Sequence, residues 1–167
     1  MINRPGYTFP FLFIGLCCLL LASACRQVEI FEKNTPIPHY KWNHSFPATG
    51  SFSIQDTASS YNIYVVLRHT DAYQYNNIWL NIGLQSPGDT MYHQKVNLVL
   101  GHDGTGWEGS GMNDIWEVRK LIRGNTRFIK KGVYQFNIFQ VMRDNPLPHV
   151  MSAVLRVIKA NWCPRKF

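Results

Sequence analysis

The chain has 167 residues, 46% of them hydrophobic and 16% charged, with a formal net charge of +7. That length suits one domain with a hydrophobic core of its own. The basic balance admits three kinds of partner: nucleic acid, an anionic lipid surface or an acidic protein.

The first feature along the chain is an apolar run from Phe11 to Ala22 that ends in "LASAC" at positions 21–25. A membrane-spanning helix needs ~20 apolar residues, so the run is too short to cross a bilayer. It suits the hydrophobic region of an export signal, with Arg4 as the positive charge ahead of it. Ala22, Ser23 and Ala24 are small enough for a signal peptidase cleft, and a cysteine follows directly. This pattern resembles the bacterial lipobox, with Ala22 standing where Leu is commonest and Leu21 one place further out. Residues 1–24 therefore read as a cleaved lipoprotein signal peptide, and Cys25 as the lipidated first residue of the mature chain. A plain cleavage site with an incidental cysteine is the alternative. An exported, lipid-anchored protein does not normally meet nucleic acid, which removes the first of the three partners.

Cysteine usage follows from that reading. Of the four cysteines, Cys17 and Cys18 leave with the signal, Cys25 carries lipid and Cys163 is left in "NWCPRKF". No intramolecular disulfide is then possible. Cys163 reads as a terminal bystander rather than a reactive thiol.

Residues 25–50 read as the lipidated N-terminus, a tether and an irregular lead-in, because the prolines of "NTPIPHYKW" block regular helix. From 51 to 160 the pattern turns to period two. Phe52 and Ile54, then Tyr61, Ile63, Val65 and Leu67, then Ile78, Leu80, Ile82 and Leu84 alternate with other residues. Val96, Leu98 and Leu100 follow the turn at "SPGDT"; later come Tyr134, Phe136 and Ile138, then Met151, Ala153, Leu155 and Val157. Alternation of this kind buries one face of a strand. The fold class predicted is all-β, an antiparallel β-sandwich of about 7–8 strands, with residues 161–167 as a C-terminal tail. "NDIWEVRKLIR" stays open between a short helix, with Ile115, Val118 and Ile122 as its stripe, and an irregular strand.

Catalytic templates are missing: there is no G-x-S-x-G, H-E-x-x-H or P-loop pattern. The six histidines, at 39, 44, 69, 93, 102 and 149, show no short metal-ligand spacing. His102 beside Asp103 is the best of them and reads as a surface pair. Glu108 and Asp114 flank "GSGMN" as a conceivable carboxylate pair, but loop carboxylates are mostly solvated. The sequence predicts no enzyme, no metal and no cofactor.

Three stretches remain distinctive. Five glycines surround Trp107 in "GHDGTGWEGSGMNDI", where they serve positive φ or close backbone approach. Trp107 either stacks on a ligand such as a sugar or plugs the end of the sandwich, and the size of the ring favours the plug. Arg119, Lys120, Arg123, Arg127, Lys130 and Lys131 form a basic stretch with no acid after Glu117. It is a candidate surface for a partner protein or for lipid, the alternative being a solvated face. Pro146 and Pro148 make a stiff corner after Arg143 and Asp144, either a hairpin braced by that pair or a docking corner.

After the lipobox, "SYNIYVVLRHTDAYQYNNIWLNI", "GWEGSGMNDI" and "KGVYQFNIFQVMRDNPLPHVMSAVLRV" follow in order. Together they resemble the gliding motility lipoprotein GldH family of the Bacteroidetes. "MRDNPLP" and the Gly-Trp loop before "NDI" are the most specific marks. The resemblance implies a small palmitoylated lipoprotein of the outer membrane, facing the periplasm. It also implies partners among other gliding motility lipoproteins or components of type IX secretion. No active site comes with it, and many members occur in bacteria that do not glide. The reading is a triacylated, non-enzymatic accessory of an envelope machine. The rival is a glycan-binding lipoprotein of a nutrient-uptake system.

Cys25→Ala is expected to abolish labelling with palmitate and to leave unprocessed precursor, or soluble protein if another peptidase cuts it. Mass spectrometry of the parent's mature N-terminus checks this, and a free, unmodified Cys25 there would sink the lipoprotein reading.

Overall fold

The structure, a computed structural model, describes residues 29–32 and 34–160. These residues form strands throughout, apart from turns, loops and a 3-10 turn at Pro38–Tyr40. The strands are β1 (Glu29–Glu32), β2 (Thr35–Pro36), β3 (Lys41–Trp42), β4 (Ala48–Ile54), β5 (Tyr61–Thr70), β6 (Asn77–Gln85) and β7 (Tyr92–Val99). The short strands β8 (Gly101–His102), β9 (Gly106–Trp107) and β10 (Ser110–Met112) follow, then β11 (Ile115–Thr126), β12 (Gly132–Gln140), β13 (Leu147–Pro148) and β14 (Val150–Lys159). β4 to β7, β11, β12 and β14 are the long ones and carry the sandwich, as the sequence predicts.

All pairings are antiparallel. One sheet runs β1-β14-β5-β11-β10, with β2 also on β14, and the other runs β4-β12-β6-β7. β3 with β13, and β8 with β9, form two small ladders. Between the sheets lies one apolar core to which both contribute. The alternating rows point into it: Ile63, Val65 and Leu67 of β5, Ile78 and Leu80 of β6, Phe136 and Ile138 of β12, and Leu155 and Val157 of β14 are all buried. Burying one such side chain contributes roughly 1.5–3 kcal/mol.

The registers define two ends. At one, β1, β5, β7 and β12 begin while β4, β6, β11 and β14 finish, so Tyr61 sits opposite both Lys159 and Thr126, and Gly132 opposite Ile54. This is the Glu29 end. An aromatic cluster closes it, with the Phe128 ring 4.7 Å from Tyr134, 5.3 Å from Tyr61 and 5.6 Å from Phe52. The loops 71–76, 100–114 and 141–149 gather at the opposite, Trp107 end.

Two segments differ from the sequence reading. The stretch read as tether and lead-in is part of the sandwich from Glu29 onward, since β1 and β2 both pair with β14. "NDIWEVRKLIR" is strand: β11 pairs with β5 from Ile115 to Thr126 and is bulged near Arg123. Its inward row is Trp116, Val118, Lys120 and Ile122, so two members of the apparent helical stripe share a strand row interrupted by a lysine, while Ile115 is exposed on the other face. Cys25, Cys163 and the proposed signal lie outside the described residues.

Leu80 is fully buried in the centre of β6. Leu80→Ala is expected to cost about 2–5 kcal/mol, read as a lower denaturation midpoint. An unchanged midpoint would mean that the core does not rest on this row.

Candidate functional site

The Trp107 end is assembled from three loops. Leu100 and Gly101 donate their N–H groups to the Asn76 carbonyl at 2.7 and 3.1 Å, and Glu108 donates to Leu100 at 2.8 Å, which seats the Gly-rich loop on the loop before β6. Glycine is required at 109, where φ is +93° and a Cβ would lie 2.1 Å from the Glu117 carbonyl oxygen. Gly101 leaves room for the Trp107 ring, which a Cβ would meet at 2.9 Å. Trp107 is half-buried, edge-on to His69 with centroids 4.6 Å apart, and 6.2 Å from Tyr73. Its indole N–H donates to Asp71 Oδ1 at 2.8 Å, and Trp116 donates to the same oxygen at 3.2 Å. Ring and N–H are thus both engaged within the protein.

The Pro corner joins this end through a buried amide. Gln140 is fully buried; its Nε2 donates to the carbonyls of Trp42 and Asp144, both at 3.0 Å, and its Oε1 accepts from the Met142 N–H at 2.8 Å. Trp42, also fully buried, donates its indole N–H to the Phe46 carbonyl at 2.8 Å. The sequence reading braced the corner with an Arg143–Asp144 pair. The structure instead has the Tyr75 hydroxyl donating to Asp144 Oδ2 at 2.7 Å. That bond pushes the Tyr75 phenol up from its ordinary value. Tyr75 also packs edge-on to Tyr73, 5.8 Å away, so side-chain contacts run from Trp107 through Tyr73 and Tyr75 to Asp144. Gln140, Trp42 and Tyr75 escaped sequence reasoning; the aromatic residues in otherwise polar loops were the available signal.

The titratable groups here are tied down. Glu108 binds Lys120 and, at 3.0 Å, His102, and the lysine holds its carboxyl below the usual range. A carboxyl lowered in this way is ionised near neutrality and does not hold a proton for acid catalysis. Asp114 gives its backbone carbonyl to Asp71 N–H at 2.7 Å. His102 and Asp103 have separate partners, Asp103 accepting from Asn76 at 2.6 Å. Among the described residues no group of three or more His, Cys, Asp and Glu could hold a metal ion.

The basic stretch is not one surface. Arg119 and Arg68 flank Glu117 on the outer face, at 3.3 and 2.7 Å. Lys120 points inward to Glu108. Arg123 reaches Gln94 at 3.3 Å across the open side of the sandwich between β11 and β7. Arg127, Lys130 and Lys131 lie beyond, in the loop at the Glu29 end, where Lys130 binds Asp89 at 2.7 Å.

Residues 29–157 match the profile of the family described as GldH lipoprotein. The chain is also similar to the gliding motility lipoprotein GldH of Flavobacterium johnsoniae, at 27% identity over 137 residues, covering 79% of this chain and 81% of that one. No solved structure matches.

His69 gives the Trp107 end a pH dependence. The ring is 1% exposed, its Nδ1 bonded to the Thr70 carbonyl at 2.9 Å and its Nε2 without a partner. Burial pushes its pKa below the ordinary 6.5, against the smaller opposing effects of Thr70 and Asp71. Above that value both folded and unfolded chains hold the ring neutral. As pH falls through it, the unfolded chain takes up a proton that the folded one does not, so stability drops until the lowered folded pKa is reached. The parent's Tm is expected to fall more steeply between pH 7 and 5.5 than that of His69→Phe; equal slopes in thermal melts would refute this.

Proposed function

Because the chain belongs to the GldH lipoprotein family, we propose that it is a non-enzymatic accessory of the gliding motility and type IX secretion apparatus. It is held by a lipid on Cys25 at the outer membrane and faces the periplasm. The similarity to a gliding motility lipoprotein of Flavobacterium johnsoniae supports the gliding motility part of this reading. The observation that carries it is the convergence of the Gly-Trp loop and the "MRDNPLP" run, far apart in the chain, on one end of the sandwich. They are built into one rigid surface there by Tyr73, Tyr75 and Asp144.

That surface suits protein docking. Met112, at the tip of the hairpin between β10 and β11, is 77% exposed, and the exposed Asp114 lies two residues on. An apolar side chain held out on a short ladder beside polar groups has the form of an interface anchor. The glycan-binding rival requires Trp107 to offer a free ring. Its packing on His69 and its bond to Asp71 favour the plug instead.

Met112→Ser combined with Asp114→Lys is expected to leave the melting curve intact and to reduce several-fold the recovery of crosslinked partners from the protein's own membranes. Unchanged recovery, with saturable glycan binding that disappears in Trp107→Ala, would replace this reading with the rival.

A further inference from the structure

The loop between β11 and β12 reads "RFIKK", and its two adjacent apolar residues have opposite fates. Phe128 is 4% exposed within the aromatic cluster, whereas Ile129 is 85% exposed. The loop is held in that arrangement. The Tyr134 hydroxyl donates to the Lys130 carbonyl at 2.9 Å, and the Lys130 ammonium donates to both Asp89 oxygens, at 2.8 and 2.7 Å, and to the Pro87 carbonyl at 3.3 Å. Ile129 therefore projects from a braced loop.

A single exposed aliphatic residue is ordinary on a protein surface. Its neighbours make this one different. Arg127 and Lys131 are exposed and have no ion-pair partner among the described residues. Asp56 and Asp89 of the neighbouring loops are each occupied by a lysine, Lys159 and Lys130. Tyr92, 66% exposed at the start of β7, adds an amphipathic ring of the kind favoured at membrane interfaces. At the opposite end Asp71, Asp103, Glu108, Asp114 and Asp144 lie among Lys41, Lys120 and Arg143, so cations and acids are mixed there.

We infer that the Glu29 end is a membrane-resting surface, with Ile129 seated among anionic phospholipid headgroups and Arg127 and Lys131 on their phosphates. The inference rests on the lipid anchor proposed above. Cys25 is four residues before Glu29, and four residues reach at most about 14 Å, so an anchored chain keeps this end close to the bilayer. Basic residues flanking an apolar side chain fit an anionic lipid surface by charge and by polarity. The ten residues of β5 span about 33 Å, so the Trp107 end stands off from the membrane by roughly that distance.

The test uses the native lipoprotein purified from membranes, in a Cys163→Ser background, with a fluorophore on Ile129→Cys or, as the control, Gly104→Cys. Each is reconstituted into phosphatidylcholine vesicles with and without phosphatidylglycerol and exposed to a lipid-borne quencher. Quenching at 129 is expected to exceed that at 104 several-fold in the anionic vesicles. It should diminish in neutral vesicles, at about 1 M salt where the Debye length is about 3 Å, and in Arg127→Glu with Lys131→Glu. Protein that floats with the vesicles while the label at 129 stays as unquenched as that at 104 would overturn the resting surface alone, assigning the loop to an acidic protein. Protein that does not float would overturn the anchor and the resting surface together.

Discussion

A two-layer sandwich shares one core that is open at both ends, and those ends must be closed without stranding polar backbone groups in the interior. The rest of this structure depends on how that is met. At the Glu29 end the solution is aromatic: Phe128 enters the core beside Tyr61, Phe52 and Tyr134, while the hydroxyls of Tyr61 and Tyr134 reach the carbonyls of Asp56 and Lys130 at 2.6 and 2.9 Å. At the Trp107 end it is a polar clamp. Gln140 satisfies the buried Trp42 carbonyl, which left unpaired would cost about 1–3 kcal/mol, together with the part-buried Asp144 carbonyl and Met142 N–H. The same clamp fixes the Pro corner, which sets Asp144 under Tyr75. The surface proposed for docking at this end thus rests on a buried amide.

Charge placement follows from the same geometry. Lys120 occupies an inward position on β11 opposite Val65, where an unpaired ammonium would be costly. Glu108, delivered by the Gly-rich loop, makes it tolerable. Strand and loop are therefore mutually dependent: without the loop the row Trp116, Val118, Lys120 and Ile122 has a charge facing the core. Of the six basic residues in that stretch Lys120 is structural for this reason, whereas Arg119 pairs with Glu117 on the exposed outer face.

Period-two alternation is a local property, so the inward rows of β5, β6, β12 and β14 were readable in the sequence, and with them the fold class. Strand order was not, because β5 is followed in the chain by β6 yet pairs with β14 and β11. The ambiguity over 113–123 had a physical cause, as Val118 and Ile122 are separated by the inward Lys120 and only Glu108 explains a lysine there. The same limit hid the partner of Asp144: Tyr75 lies 69 residues away, whereas Arg143 is adjacent. Residues 29–42 looked irregular because their strands are too short to alternate. Phe31, packed 5.6 Å from Phe136, and Trp42 were the marks of their burial. Trp107 and its glycines stood out because positive φ and close approach leave a signature in composition.

Chain direction then relates the proposed anchor to the proposed docking surface. β1 runs from the Glu29 end toward the Trp107 end, and after β4 returns, each long strand reverses the last until β14 finishes beside β1. Connections at the Glu29 end are the loops 55–60, 86–91 and 127–131, all short. Those at the Trp107 end include 100–114 and 141–149, which are longer and hold the glycine and proline signatures. Elaborated loops are where binding surfaces are built on a rigid sheet. A chain attached through its N-terminus at the plain end presents those loops away from the attachment. Arg127 and Lys131, without ion-pair partners among the described residues, favour the same orientation of the proposed anchored chain over an anionic bilayer.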